Sequence, residues 1–127
     1  MEPKTPKILI VDDEQSIRSV LRDFLFRKEY EVEEAVSGQD AIDQHAAFEP
    51  DLILMDIRMP EMDGITALKH IREVDDSVCI IMLTAVNDED TGHRAVDCGA
   101  NDFVTKPISF AQLDTQLPVH LLMQENE

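Results

Sequence analysis

The sequence predicts an α/β fold, a doubly wound parallel sheet of five strands with helices on both faces. Three observations carry that reading. Apolar runs of strand length recur at 7–11, 52–55 and 77–83, and such runs suit strands buried on both sides. The segments between them carry apolar residues at helical spacing. The buried runs also end in polar residues that their hydrophobicity does not require.

The elements follow in order. Residues 1–6 hold two prolines and little to bury, and read as a loose lead-in. KILIV at 7–11 is the first strand, ending in Asp12-Asp13. Over 14–28, Ile17, Val20, Leu21, Phe24 and Leu25 mark the first helix. Residues 31–35 form a short second strand in which only Val32 and Ala35 are apolar. Ser37, with Asp40 three residues on, opens a helix that ends before Pro50. The stretch 51–64, DLILMDIRMPEMDG, organises the chain. Its apolar run meets Asp56, Pro60 and Gly64 turn the backbone, and Asp63 can cap a helix over 64–74. The fourth strand, at 77–83, ends at Thr84. Asn87 is expected to cap a helix over 88–98 that Gly99 closes. A fifth strand at 102–105 leads into Lys106-Pro107, and Ser109 with Gln112 has capping-box spacing for the last helix. Pro118 lies inside that helix and is expected to kink or stop it.

Composition narrows the function. The 127 residues make one domain, read as 7–123, with 124–127 a tail or the start of a linker to an output domain. A net charge of −16 argues against direct nucleic-acid binding and for a basic partner or a metal ion among the acids. No apolar run reaches the ~20 residues of a membrane span. The two cysteines, Cys79 in an apolar run and Cys98 near a helix end, form no disulfide framework, so the chain reads as intracellular and cytoplasmic. The four histidines, His45, His70, His93 and His120, have no metal-ligand spacing and read as surface or helix-face residues.

If the strand order is 2-1-3-4-5, as in flavodoxin-like (βα)5 sheets, the first and third strands are neighbours whose helices leave to opposite faces. The crevice there collects Asp12, Asp13, Asp56, Thr84 and Lys106 from the strand ends. Two charges ~5 Å apart repel by roughly 3 kcal/mol at an effective dielectric of 20. Three carboxylates therefore call for counter-charge. Lys106 supplies one positive charge, and Mg²⁺ (or Mn²⁺), an oxygen-seeking cation that keeps waters and binds phosphate, supplies two. Asp56 is then the candidate nucleophile, forming an acyl phosphate, with the Lys106 ammonium and Thr84 hydroxyl on the phosphoryl oxygens.

Asp12-Asp13, LMDIRMPEMDG around Asp56, Thr84-Ala85 and 102–107 (DFVTKP) together resemble the receiver domain of two-component response regulators, over about 7–115. The resemblance implies that Asp56 accepts a phosphoryl group from a histidine of a sensor kinase or phosphotransfer protein. It implies that Asp13 and Asp56 ligate Mg²⁺ directly, with the backbone carbonyl of Arg58, while Asp12 acts through water. Lys106 would pair with the phosphoryl oxygens and join Pro107 by a cis bond. Thr84 would swing toward the phosphoryl group and Phe103 turn inward behind it. The readout would be the surface of the fourth helix, fifth strand and last helix, presented to an output domain or partner protein.

The chain departs from the family in places. Arg58 and Val86 stand two residues after Asp56 and Thr84, positions that the resemblance places at the site entrance, where Arg58 is expected to touch the phosphoryl region and set its lifetime. No Lys or Arg follows Lys106, which removes basic partners of the charged dimer contacts of some DNA-binding members. Leu117, Val119, Leu121, Leu122 and Met123 make the last helix apolar. Two rival readings fit less well. An aspartate-dependent phosphatase usually has a second acid where Arg58 stands and needs a cap domain. A flavin-binding module needs a phosphate-cradling loop, and Asp12-Asp13-Glu14 would repel phosphate. The chain is thus expected to switch through its own phosphorylation and dephosphorylation and not to turn over substrate.

Overall fold

Short strands, three of them near-continuous apolar runs, build the molecule, seen in a computed structural model that describes residues 5–125. The order is β1 (Lys7–Val11), α1 (Gln15–Arg27), β2 (Glu31–Ala35), α2 (Gly38–Phe48), β3 (Leu52–Asp56), α3 (Gly64–Val74), β4 (Cys79–Thr84), α4 (Glu89–Asp97), β5 (Asp102–Thr105) and α5 (Phe110–Glu125). The five strands pair in parallel in the order β2-β1-β3-β4-β5. This is the flavodoxin-like (βα)5 sheet expected from the sequence.

The uniform apolar runs feed two cores. Leu9, Val11, Ile53, Met55, Ile80 and Met82 face one side, against Ala41, Ile65, Leu68, Ile71 and Ala95 of α2, α3 and α4. Ile8, Ile10, Leu52, Leu54, Ile81 and Leu83 face the other, against Leu21 and Leu25 of α1 and Leu113, Leu117 and Leu121 of α5. Every residue of β3 and β4 is buried, so alternation along them carries no polar face. On the edge strand β2, by contrast, Glu31 and Glu33 are exposed, charges that discourage pairing with another chain.

Caps fix most helix starts as expected. Ser37 Oγ accepts from the Asp40 amide at 3.0 Å, Asp63 Oδ1 from the Thr66 amide at 2.8 Å, and Ser109 Oγ from the Gln112 amide at 3.2 Å. Three readings are corrected. The N-cap of α4 is Asp88 and not Asn87, which takes a left-handed φ of 64° one residue earlier. β4 begins at Cys79 and not Ser77, because Asp75 Oδ1 captures the Ser77 and Val78 amides at 2.9 and 3.0 Å and folds them into a turn. Pro118 does not stop α5, which continues to Glu125, into the stretch read as a tail. Pro118 is exposed, and with no amide hydrogen it leaves the carbonyl one turn back without its usual helical donor. Two of the histidines read as surface or helix-face residues, both on helices, are tied to acids. His45 Nε2 lies 2.8 Å from Asp75 Oδ2, and His120 Nε2 lies 3.1 Å from Asp102 Oδ2. Burial alone would raise the pKa of Asp75, but the bonds from His45 and from the Ser77 and Val78 amides hold it at about 2.

Arg72 stitches the edge of the sheet where the strands begin. Its guanidinium donates to the carbonyls of Gly99 (2.8 Å), Asp75 (3.2 Å) and Val78 (2.6 Å) and to Asn101 Oδ1 (2.9 Å). The C-terminal turn of α5 reaches the same edge, where Gln124 Nε2 donates to the Ser77 carbonyl at 3.0 Å. No helix among the described residues is long and apolar enough to cross a membrane.

Candidate functional site

At the opposite edge the strand ends converge. β1 and β3 are neighbours, and α1 and α3 leave them toward opposite faces, opening a crevice at the reversal. Asp12, directly after β1, is wholly buried; Asp56, the last residue of β3, is 5% exposed; Asp13 is exposed. One carboxylate oxygen from each lies within 4.8 Å of the others. Lys106 arrives from the end of β5, where its amide donates to the Thr84 carbonyl at 2.8 Å. Its Nζ lies 3.3 Å from Asp56 Oδ1 and 3.6 Å from Asp12 Oδ2. The Lys106-Pro107 bond is cis.

The electrostatics of this group are lopsided, with three acids to one ammonium. Burial raises the pKa of Asp56, and Asp12 beside it raises it further against the pull of Lys106. Burial likewise raises Asp12, while the Glu14 amide and Lys106 oppose the shift. Asp12 Oδ1 accepts from the Glu14 amide at 2.9 Å, but Oδ2 is buried with no hydrogen-bond partner among the described residues. An orphaned anionic oxygen beside two other carboxylates is the donor set of a hard divalent cation. Asp12, Asp13 and Asp56 therefore fit Mg²⁺.

The remaining expected residues surround this cluster. Thr84 ends β4 and is buried, and its hydroxyl donates to the Asp88 carbonyl at 3.0 Å. Phe103 on β5 lies against α4, edge-on to the His93 ring at 5.0 Å, and a Cβ on Gly92 would overlap its ring. The Arg58 amide approaches Asp56 Oδ1 at 3.4 Å, while its guanidinium, largely exposed, pairs with Asp88 Oδ2 at 3.1 Å. Sequence reasoning missed Asp88, which also accepts from Thr91 Oγ1 at 2.7 Å. The Thr91 and Arg58 hydrogen bonds lower its pKa. The only signal was an acid three residues before a threonine at a helix start.

The sequence matches the family described as response regulator receiver domain over residues 8–118. The chain belongs to that family. The receiver is 44% identical over 102 residues to the chemotaxis protein CheY of Bacillus subtilis (strain 168), covering 80% of this chain and 85% of that protein. It is 42% identical over 108 residues to the regulatory protein AtoC of Escherichia coli (strain K12), covering 85% of this chain but 23% of AtoC. The signal receiver domain of an HD domain-containing protein from Pseudomonas fluorescens Pf-5 superposes with a TM-score of 0.91 at 29% identity, covering 98% of this chain and 100% of the other. Receivers of this kind are signalling proteins of two-component systems, with phosphoryl transfer as their general function, and not turnover enzymes.

Proposed function

We propose that Asp56 is the phosphoacceptor of a two-component phosphorelay and that its phosphorylation switches the α4-β5-α5 surface. The observation that carries this is the Asp56 carboxylate at the β3 end, 3.3 Å from Lys106 Nζ and within an acidic cluster that includes Asp12 and Asp13. An Asp56 oxygen attacks the phosphorus of a phosphohistidine on a sensor kinase or phosphotransfer protein. The new O–P bond forms as the P–N bond breaks, and the imidazole leaves with the electron pair. The Lys106 ammonium pairs with the phosphoryl oxygens, and the Thr84 hydroxyl donates to one of them. Asp13 and Asp56, with the Arg58 backbone carbonyl, would hold Mg²⁺ directly and Asp12 through water. When bound, the ion supplies positive charge against the charge developing on the phosphoryl oxygens. Water later attacks the phosphorus of the acyl phosphate, the O–P bond to Asp56 breaks with its electron pair returning to the carboxylate, and inorganic phosphate leaves.

The readout begins at Thr84. Drawn to the phosphoryl group, its hydroxyl leaves the Asp88 carbonyl, and the N-terminus of α4 is freed. Phe103 then turns inward from its contact with Gly92 and His93, changing the face that α4, β5 and α5 present to an output domain or partner protein. The added phosphoryl group, of charge about −1.5 to −2, drives the change.

The test is a mass spectrum after incubation with acetyl phosphate and Mg²⁺. A gain of one phosphoryl group that disappears in Asp56→Asn and in EDTA is expected. An adduct that persists in Asp56→Asn, or none in the wild type with acetyl phosphate or with a phosphorylated histidine kinase, overturns the assignment.

A further inference from the structure

We propose that Arg18 is a positioning residue for the divalent cation: it fixes the Asp12 peptide so that the Asp12-Asp13 pair stays gathered beside Asp56. The inference rests on the receiver reading above and adds to it a residue outside the acidic cluster. Asp12 is held at nearly every polar atom. Its amide donates to the Ala35 carbonyl at 3.2 Å, its Oδ1 accepts from the Glu14 amide at 2.9 Å, and its carbonyl accepts from Arg18 Nη1 at 2.8 Å. Only Oδ2 remains without a hydrogen bond, within reach of Lys106.

Arg18 is itself anchored. Its Nε donates to Glu34 Oε1 at 3.1 Å, and Arg22 Nη1 holds the other oxygen of Glu34 at 3.2 Å. The Arg18 side chain is 12% exposed, while that of Arg22, one turn on, is 61% exposed. Arg22 is thus a surface charge that steadies Glu34, whereas Arg18, in the first turn of α1, reaches back to the turn that follows β1. Glu34 immediately precedes Ala35, whose carbonyl takes the Asp12 amide. The end of β2 therefore holds the backbone on both sides of the Asp12 Cα, once by the Ala35 carbonyl on its amide and once through the Arg18 fork on its carbonyl. A lysine could not donate in both directions with the same rigidity.

Arg18 acts through geometry. Its contact on Asp12 is the carbonyl, and the cation facing the Asp12 carboxylate is Lys106. Without a cation, the carboxylates of Asp12, Asp13 and Asp56 repel one another, and a shift of the turn that carries two of them would lower that repulsion. The Arg18 brace opposes that shift, so the site is gathered before the ion arrives. Groups that orient metal ligands without touching the metal commonly change affinity by about tenfold or more.

The experiment is an NMR titration with Mg²⁺ on wild type, Arg18→Ala and Glu34→Gln, beside acetyl phosphate phosphorylation rates measured across the same Mg²⁺ range. In Arg18→Ala, whose dispersed spectrum reports a folded protein, the Mg²⁺ Kd is expected to rise about tenfold. The half-saturating Mg²⁺ concentration for phosphorylation rises in step, while the rate at saturating Mg²⁺ stays within about twofold of wild type. Glu34→Gln, which keeps the carbonyl bond but loosens its anchor, gives a smaller rise in Kd. An unchanged Kd in folded Arg18→Ala, or a fallen saturating rate with Kd unchanged, overturns the proposal. If Arg18→Ala does not fold, an unchanged Kd in Glu34→Gln overturns it equally. A wild type that binds no Mg²⁺ at all would instead overturn the metal site of the preceding subsection.

Discussion

At the scale of single residues, Asp12 is where stability has been exchanged for chemistry. It is a buried acid with a raised pKa, an unpartnered oxygen and two acidic neighbours. A carboxyl whose pKa is raised on folding binds protons more tightly in the folded state than in the unfolded chain. Stability is therefore lost as pH rises from the ordinary value of 3.8 through the raised folded value, and stays lost above it. Asp12→Asn should recover about 1 kcal/mol at neutral pH in EDTA, roughly 4 °C in Tm. That gain should shrink as the pH is lowered, and Mg²⁺ should stabilise the variant less than the wild type. Thermal melts with and without Mg²⁺ at several pH values check this, and a variant less stable than wild type in EDTA would contradict it. The polar strand ends were legible because each followed an apolar run. Arg18, Asp88 and the His45 and His120 pairs were not, because each acts on a residue remote in sequence or on a backbone carbonyl. Asp75 lies thirty residues from His45 and Asp102 eighteen from His120, and no local pattern records such a pairing.

Among the elements, the loop between β3 and α3 sets how closely helix and site can approach. The Gly64 amide donates to the Ile57 carbonyl at 2.7 Å, and a Cβ on Gly64 would overlap the Asp56 carbonyl oxygen and lie 2.9 Å from Ile57 Cα. These neighbours are backbone and cannot turn aside. Gly64→Ala should cost about 2 kcal/mol or more in urea unfolding and slow phosphorylation by acetyl phosphate several-fold, by shifting the end of β3. A variant matching wild type in both would show that the loop yields freely. Strand and helix identities were readable here because β3 is apolar up to Asp56 and α3 keeps strict spacing. Boundaries were less so: β4 starts two residues late because Asp75 takes two amides that the ladder would have used. α5 passes Pro118 at an exposed position, and exposure at one turn of a helix depends on orientation and not on residue type.

Over the whole molecule, a net charge of −16 on 127 residues sets a background of self-repulsion. Ion pairs such as Lys28 with Asp114, at 3.1 Å, offset it locally but leave the excess. Raising KCl from about 20 mM to about 0.5 M should therefore raise Tm by a few degrees in EDTA, with most of the rise below about 0.2 M as screening shortens. A Tm that falls with KCl would mean that specific ion pairs outweigh the net repulsion. The doubly wound class was legible at this scale from the alternation of strands and helices, whereas the strand order entered as a condition taken from flavodoxin-like sheets. The end of α5, beside Ser77, lies at the far edge of the sheet from Asp56. β4 alone has six residues, so the separation is about 20 Å, roughly two Debye lengths in physiological salt. A partner gripping that end of α5 would hardly sense the phosphoryl charge as a field. It would have to feel a lever, a shift of packed helix and strand carried from one end of the molecule to the other.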